Sequence, residues 1–131
     1  MDGNLFLLTS GSLRKMMLER VLEEACDCLS PTKALSMDEL KRCKPKYSVN
    51  FIFLDLPNLS GSAKNIIAEV KNNQPDAFII GIHFYMNKKL IEPLMEGGLD
   101  GYLLYNPVKA DIRNAIDVIK SGQKYLPPEL L

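Results

Sequence analysis

The run Phe51-Ile52-Phe53-Leu54 leads without a break into Asp55. A carboxylate placed there could serve as a nucleophile, a general base or one ligand of a metal ion, or it could only cap the turn Leu56-Pro57-Asn58; the stretch alone leaves both open. Thr9-Ser10-Gly11-Ser12 sets three hydroxyls ahead of a helical pattern. Free backbone N–H groups and the helix dipole attract anions at such a place. Ser12-Leu13-Arg14-Lys15 has the S-x-x-K spacing of serine acyl enzymes, but no partner motif accompanies it, so these read as surface residues of a helix. His83 is the only histidine. It cannot be paired with an acid from sequence alone, and it reads as a loop residue just after an apolar run. Cys26-x-Cys28 with a distant Cys43 lacks zinc spacing, and an odd cysteine count argues against a disulfide framework. Reduced structural cysteines and no enzyme active site are the expectation.

The elements that must position these residues follow from the hydrophobic pattern. A chain of 131 residues fits one domain with a real core. Sixteen basic residues balance sixteen acidic ones, so the chain lacks the charge footprint of a nucleic-acid surface. Apolar residues make up 47% but never run long enough for a membrane helix, and the start has no signal-peptide layout. A cytoplasmic location and no membrane contact are expected. Asn4 to Leu8 reads as a strand, and Leu13, Met17, Leu18, Val21, Leu22 and Ala25 as the stripe of a helix capped by Ser12 or Ser10. Residues 26 to 35, broken by Pro31, give an edge strand, and Met37 to Lys44 a short helix stopped by Pro45.

Phe51 to Leu56 is a strand covered on both faces, with Asp55 at its carboxyl end. A turn at Pro57 to Gly61 precedes a helix that turns Ala63, Ile66, Ile67 and Val70 inward. Ala77 to Ile82 is a fourth strand, and Leu90, Ile91, Leu94 and Met95 mark a helix ended by Gly97-Gly98. Gly101 to Leu104 is a fifth strand, and Ile112, Ala115, Ile116 and Ile119 belong to a last helix ending at Gly122. Gln123 to Pro128 follows as a stiff tail with no partner element. Five strands alternating with five helices predict an α/β, three-layer doubly wound (βα)5 sheet of order 2-1-3-4-5. That order sets Asp55 across one crevice from the Thr9-Ser10 turn.

Three segments then carry a resemblance. Phe51 to Leu56 resembles the phosphoacceptor strand of response-regulator receiver domains, and Gly97 to Leu104 (GGLDGYLL) and Gly122 to Leu131 (GQKYLPPELL) resemble the LuxR/NarL class of transcription regulators. The resemblance implies a flavodoxin-like receiver fold in residues 1–122. Residues 123–131 would begin a linker to a helix-turn-helix DNA-binding domain beyond Leu131. It also implies a two-component signalling role with Asp55 at the phosphoacceptor position. Receivers hold Mg²⁺ with an acidic pair, here matched by Thr9 and Ser10. The family's lysine is matched by Tyr105 and its strand-four Thr or Ser by Gly81, while Tyr102 matches the switch aromatic. The loop after Asp55 is shorter than the family's D-x-x-M-P-x-x-x-G.

The expectation is a pseudo-receiver that needs no phosphorylation, binds Mg²⁺ weakly or not at all and uses no cofactor. It would act as a homodimer or through contact with a sensor kinase or another signalling protein, with Tyr105 plugging the crevice. Two alternatives stand beside it. One is a working phosphoacceptor using Asp55. The other is a flavin- or phosphate-ligand module, since Thr9 to Ser12 is also similar to the phosphate loop of flavodoxins.

Overall fold

The computed structural model describes residues 3–26, 33–43 and 50–130. In chain order the elements are β1 (Asn4–Leu8), α1 (Ser12–Ala25), β2 (Lys33–Ala34), α2 (Met37–Arg42), β3 (Asn50–Asp55), a 3-10 turn (Leu56–Asn58), α3 (Ala63–Asn73), β4 (Phe78–His83), α4 (Lys88–Glu96), β5 (Gly101–Leu104) and α5 (Lys109–Lys120). The strands form one parallel sheet of order β2-β1-β3-β4-β5, the order expected from the sequence. Parallel neighbours need crossovers, and the helices supply them on both faces.

Because side chains alternate along a strand, odd and even residues of β1 and β3 enter different cores. Leu5, Leu7, Phe51 and Phe53 pack with Leu18 and Leu22 of α1 and Ile112, Ala115 and Ile116 of α5. Phe6, Leu8, Ile52 and Leu54 pack with Leu40 of α2, Ile66, Ile67 and Val70 of α3, and Ile91 and Leu94 of α4. Covering on both faces is why β3 is apolar without alternation. Asp55 continues the odd-numbered side, so its carboxylate falls toward α1.

Several expectations shift. The N-cap of α1 is Gly11, at φ 88 and with no side-chain cap hydrogen bond, rather than Ser12 or Ser10. Ser10 instead donates its hydroxyl to the carbonyl of Asn58, and a positive φ is available to glycine at little cost. Leu13, Met16 and Met17 are 71%, 65% and 51% exposed, so the expected α1 stripe is buried only from Leu18 onward. The described part of the second unit is shorter than expected: β2 holds two residues, and Pro31, Lys44 and Pro45 lie outside the described residues. Cys26 is buried and Cys43 half-buried; Cys28 lies outside the described residues. The fourth strand runs to His83, which is a buried strand residue and not a loop one.

The tail has a partner after all. Tyr125 bridges in parallel to Gly101, donating its N–H to Asp100 O at 3.0 Å and accepting from Tyr102 N–H at 3.1 Å. Its side chain is 5% exposed in the α1/α5 core, while Leu130 joins the opposite one. The tail therefore covers the open edge of β5, where unpaired backbone groups would otherwise face water. No described helix is long and apolar enough to cross a membrane.

Candidate functional site

The carboxyl ends of β1, β3, β4 and β5 converge on Asp55, in the register Leu8↔Leu54, Asp55↔Ile82 and His83↔Leu104. Asp55 is fully buried. A buried carboxylate must be hydrogen-bonded or paired, and this one is both. Its Oδ2 accepts from Thr9 Oγ1 at 2.5 Å, Asn58 Nδ2 at 2.9 Å and Arg14 Nε at 3.1 Å, and its Oδ1 accepts from Arg14 Nη2 at 3.2 Å. Arg14 thus meets Asp55 as a bidentate fork, the strong form of carboxylate pairing. Its side chain is 12% exposed.

The same guanidinium reaches the segment after β5. Arg14 Nη2 donates to Tyr105 O at 2.5 Å and Nη1 to Asn106 Oδ1 at 3.1 Å, and the guanidinium carbon lies 3.7 Å from the Tyr105 ring centroid. Asn58 Nδ2 also donates to the Tyr105 hydroxyl at 3.1 Å. Tyr105 therefore packs over the Arg14–Asp55 pair. The positive charge comes from another element, the first turn of α1.

Arg14, which the sequence pattern placed on the helix surface, is instead part of this candidate site. Its spacing held a signal: Arg14, Leu18, Leu22 and Ala25 stand four, four and three apart, one face of a helix, and the last three are buried. A charged residue heading a buried stripe needs an anion, and Asp55 is that anion.

Asp55 also precedes the 3-10 turn without a side-chain cap hydrogen bond. Within that turn its carboxylate meets the Asn58 side chain and no backbone N–H, so capping is not its role. Gly81 is not at the end of β4, where sequence matching to the family's Thr or Ser placed it. It pairs with Leu54 and Tyr102 inside the sheet, and a Cβ there would stand 2.8 Å from Leu99 Cδ1 and 3.1 Å from Leu56 Cδ1. The strand-end residue beside the crevice is His83.

The His83 imidazole stacks on Tyr85 with centroids 3.9 Å apart and accepts the Phe84 backbone N–H at Nδ1, 2.9 Å away. Burial lowers its pKa below the ordinary 6.5 while the charge of Asp55 pulls the other way. The accepting Nδ1 puts the remaining proton on Nε2. Tyr102 is fully buried and donates its hydroxyl to Tyr85 O at 2.7 Å, with burial raising its pKa. Tyr102 is thus turned inward and bonded to backbone.

Among the described residues no group of three or more His, Cys, Asp or Glu side chains is placed to hold a metal ion. Beside the crevice, a cavity of about 300 Å³ is lined by Thr9, Ser10, Leu35, Met37, Asn58 and Ile66 among others. The hydroxyl protons of Thr9 and Ser10 are committed to Asp55 Oδ2 and Asn58 O.

No family model matches this chain, and no curated protein matches it. Solved structures do. The chain superposes on the non-phosphorylated receiver domain of the stress response regulator RcsB from Escherichia coli with a TM-score of 0.75 at 17% identity, over 97% of this chain and 99% of that one. A two-component response regulator of the LuxR family from an Aurantimonas species gives a TM-score of 0.73 at 15% identity, over 97% and 91%. The fold is that of a response-regulator receiver domain. An RcsB response regulator from Salmonella typhimurium, solved in connection with DNA interaction, matches with a TM-score of 0.74 at 15% identity; the match takes in 99% of this chain but only 63% of that one.

Proposed function

We propose that the chain is a receiver-like signalling domain of a LuxR/NarL-type response regulator that works without phosphoaspartate. The observation carrying this reading is the carboxylate of Asp55, already paired with a cation: its Oδ2 accepts three hydrogen bonds and its Oδ1 one, two of the four from one guanidinium. A phosphoryl acceptor needs an oxygen lone pair in line with its donor, and a metal to offset the charge brought together. Here Oδ2 already accepts three hydrogen bonds, and the Arg14 guanidinium lies against both oxygens. Mg²⁺ wants several hard, charged oxygens in octahedral order, whereas the neighbours are the hydroxyls of Thr9 and Ser10 and a cation already in place. The donor set does not fit the ion, so Mg²⁺ binding is weak or absent.

The partners in this reading are a second copy of the chain and a sensor kinase or other signalling protein. The surface that favours pairing is the exposed Leu13, Met16 and Met17 face of α1. DNA is reached through a further domain beyond Leu131, by analogy with the longer regulators of the same fold. Incubation with Mg²⁺ and acetyl phosphate, followed by intact mass measurement, should yield no phosphoryl adduct. An adduct that disappears in Asp55→Ala would sink the reading and make Asp55 a working phosphoacceptor.

A further inference from the structure

Arg14 ties together segments far apart in the chain. Its backbone belongs to the first turn of α1, its fork closes on Asp55 at the end of β3, and its remaining contacts fall on Tyr105 and Asn106, between β5 and α5. Three of its nitrogens donate, and its guanidinium carbon lies over the Tyr105 ring. A guanidinium is planar and its donors are fixed relative to one another. The carboxylate it grips is buried and held by Thr9 and Asn58 as well, so the fork fixes where the rest of the guanidinium stands. Nη2, one arm of that fork, also holds Tyr105 O, and Nη1 holds Asn106.

We propose that Arg14 is a positioning residue, a resident cation that sets the β5–α5 loop against Asp55 with no added metal or phosphoryl group. The loop's place then depends on α1 and Asp55 together. The inference rests on the reading that Asp55 carries no phosphoryl group, and its test is separate from the mass measurement, which reports on Asp55 chemistry alone.

The test uses ¹H–¹⁵N spectra of the protein and of Arg14→Gln, Arg14→Lys and Asp55→Asn. Arg14→Gln and Asp55→Asn should each displace the amide signals of Tyr105, Asn106 and Val108, in a common direction, while the signals of β1 and α3 keep their dispersion. Arg14→Lys keeps one charge but not the fork, and its loop signals should fall between. In Arg14→Ala, guanidinium chloride at low millimolar concentration should return the loop signals toward their original positions, and sodium chloride should not. Loop signals unmoved in folded Asp55→Asn would overturn the proposal, as would displacement in Arg14→Gln that the added guanidinium ion fails to reverse in Arg14→Ala. If the Arg14 truncations do not fold, Asp55→Asn and Arg14→Lys decide it alone.

Discussion

Asp55 and Arg14 make the crevice a place where charge is already balanced, and the cost of breaking that balance is large. Removing one partner of a buried pair leaves the other uncompensated, at about 3 to 5 kcal/mol. The acid was legible in the sequence because an apolar run pointed straight at it. The cation was not, because a lone arginine in S-x-x-K looks like any solvated helix residue until its spacing to Leu18 and Leu22 is set beside their burial. His83 was hidden for a related reason: its apolar run supplied one strand residue more than expected, and Gly81 was matched to the strand end in its place. His83 yields a prediction at this scale. Its pKa is lowered in the fold from about 6.5 by burial. The unfolded chain therefore takes up a proton first, so the histidine's contribution is complete above pH 6.5 and is lost as the pH falls through the folded value. In His83→Phe, which keeps an aromatic face toward Tyr85, stability measured by urea unfolding should fall less steeply between pH 7 and pH 5 than in the parent. Parallel curves would show that His83 is protonated as readily in the fold as out of it.

Among elements, the sharpest contrast is between the helices that the pattern placed well and the tail that it left unattached. The apolar stripes of α3 and α5 coincide with their buried residues because both helices lie flat on a sheet face, where helical period and burial agree. For α1 they agree only over its second half, since Leu13 and Met17 meet solvent. β2 contributes two residues to the edge of the sheet, too few for any periodicity to register. Tyr125 was read as linker because its partner, the open edge of β5, lies a full helix away in sequence. Its ring is buried but its hydroxyl has no hydrogen-bond partner, and burial, then the charges of Asp111 and Glu129, raise its pKa. A buried, unsatisfied hydroxyl costs roughly 1 to 3 kcal/mol. Tyr125→Phe should therefore leave the domain equally stable or stabilise it by about 1 kcal/mol, and Tyr125→Ala should cost about 3 kcal/mol or more, both read from denaturant midpoints. Equal loss in the two variants would mean that the hydroxyl carries the docking and the ring does not.

For the whole molecule the question is what meets the surface that the fold leaves apolar. The sheet order and the crevice were legible because crossover rules leave few solutions for five strands and five helices, but no pattern in one chain shows which face meets a partner. Among the described residues exposed apolar side chains gather on several faces, and two of these bear on pairing. The one around α4, β5 and α5 is partly occupied by the chain's own tail, with Tyr125, Leu126 and Pro128 bordering a groove of about 460 Å³ shared with Met95 and Val118. The other is α1, where Leu13, Met16 and Met17 present side chains at least half exposed with no described element over them. Lys15 lies near its start, while Glu19, Glu23 and Glu24 lie farther along, with Arg20 among them and paired to Glu24. A two-fold pairing that runs α1 antiparallel to its copy would bring Lys15 toward the acidic residues of the copy. Fully burying a leucine or methionine contributes about 1.5 to 3 kcal/mol, so this face suffices for a micromolar dimer only if several of these side chains are covered together. Sedimentation across a concentration series should show self-association with no phosphodonor present. Leu13→Glu or Met17→Glu should then raise the dissociation constant at least about tenfold, equivalent to 1.4 kcal/mol, whereas Met95→Glu should leave it nearly unchanged. A dimer lost in Met95→Glu and kept in Met17→Glu would move the interface to the groove beside the tail, and a chain that stays monomeric at high concentration would remove self-association as the way this domain signals.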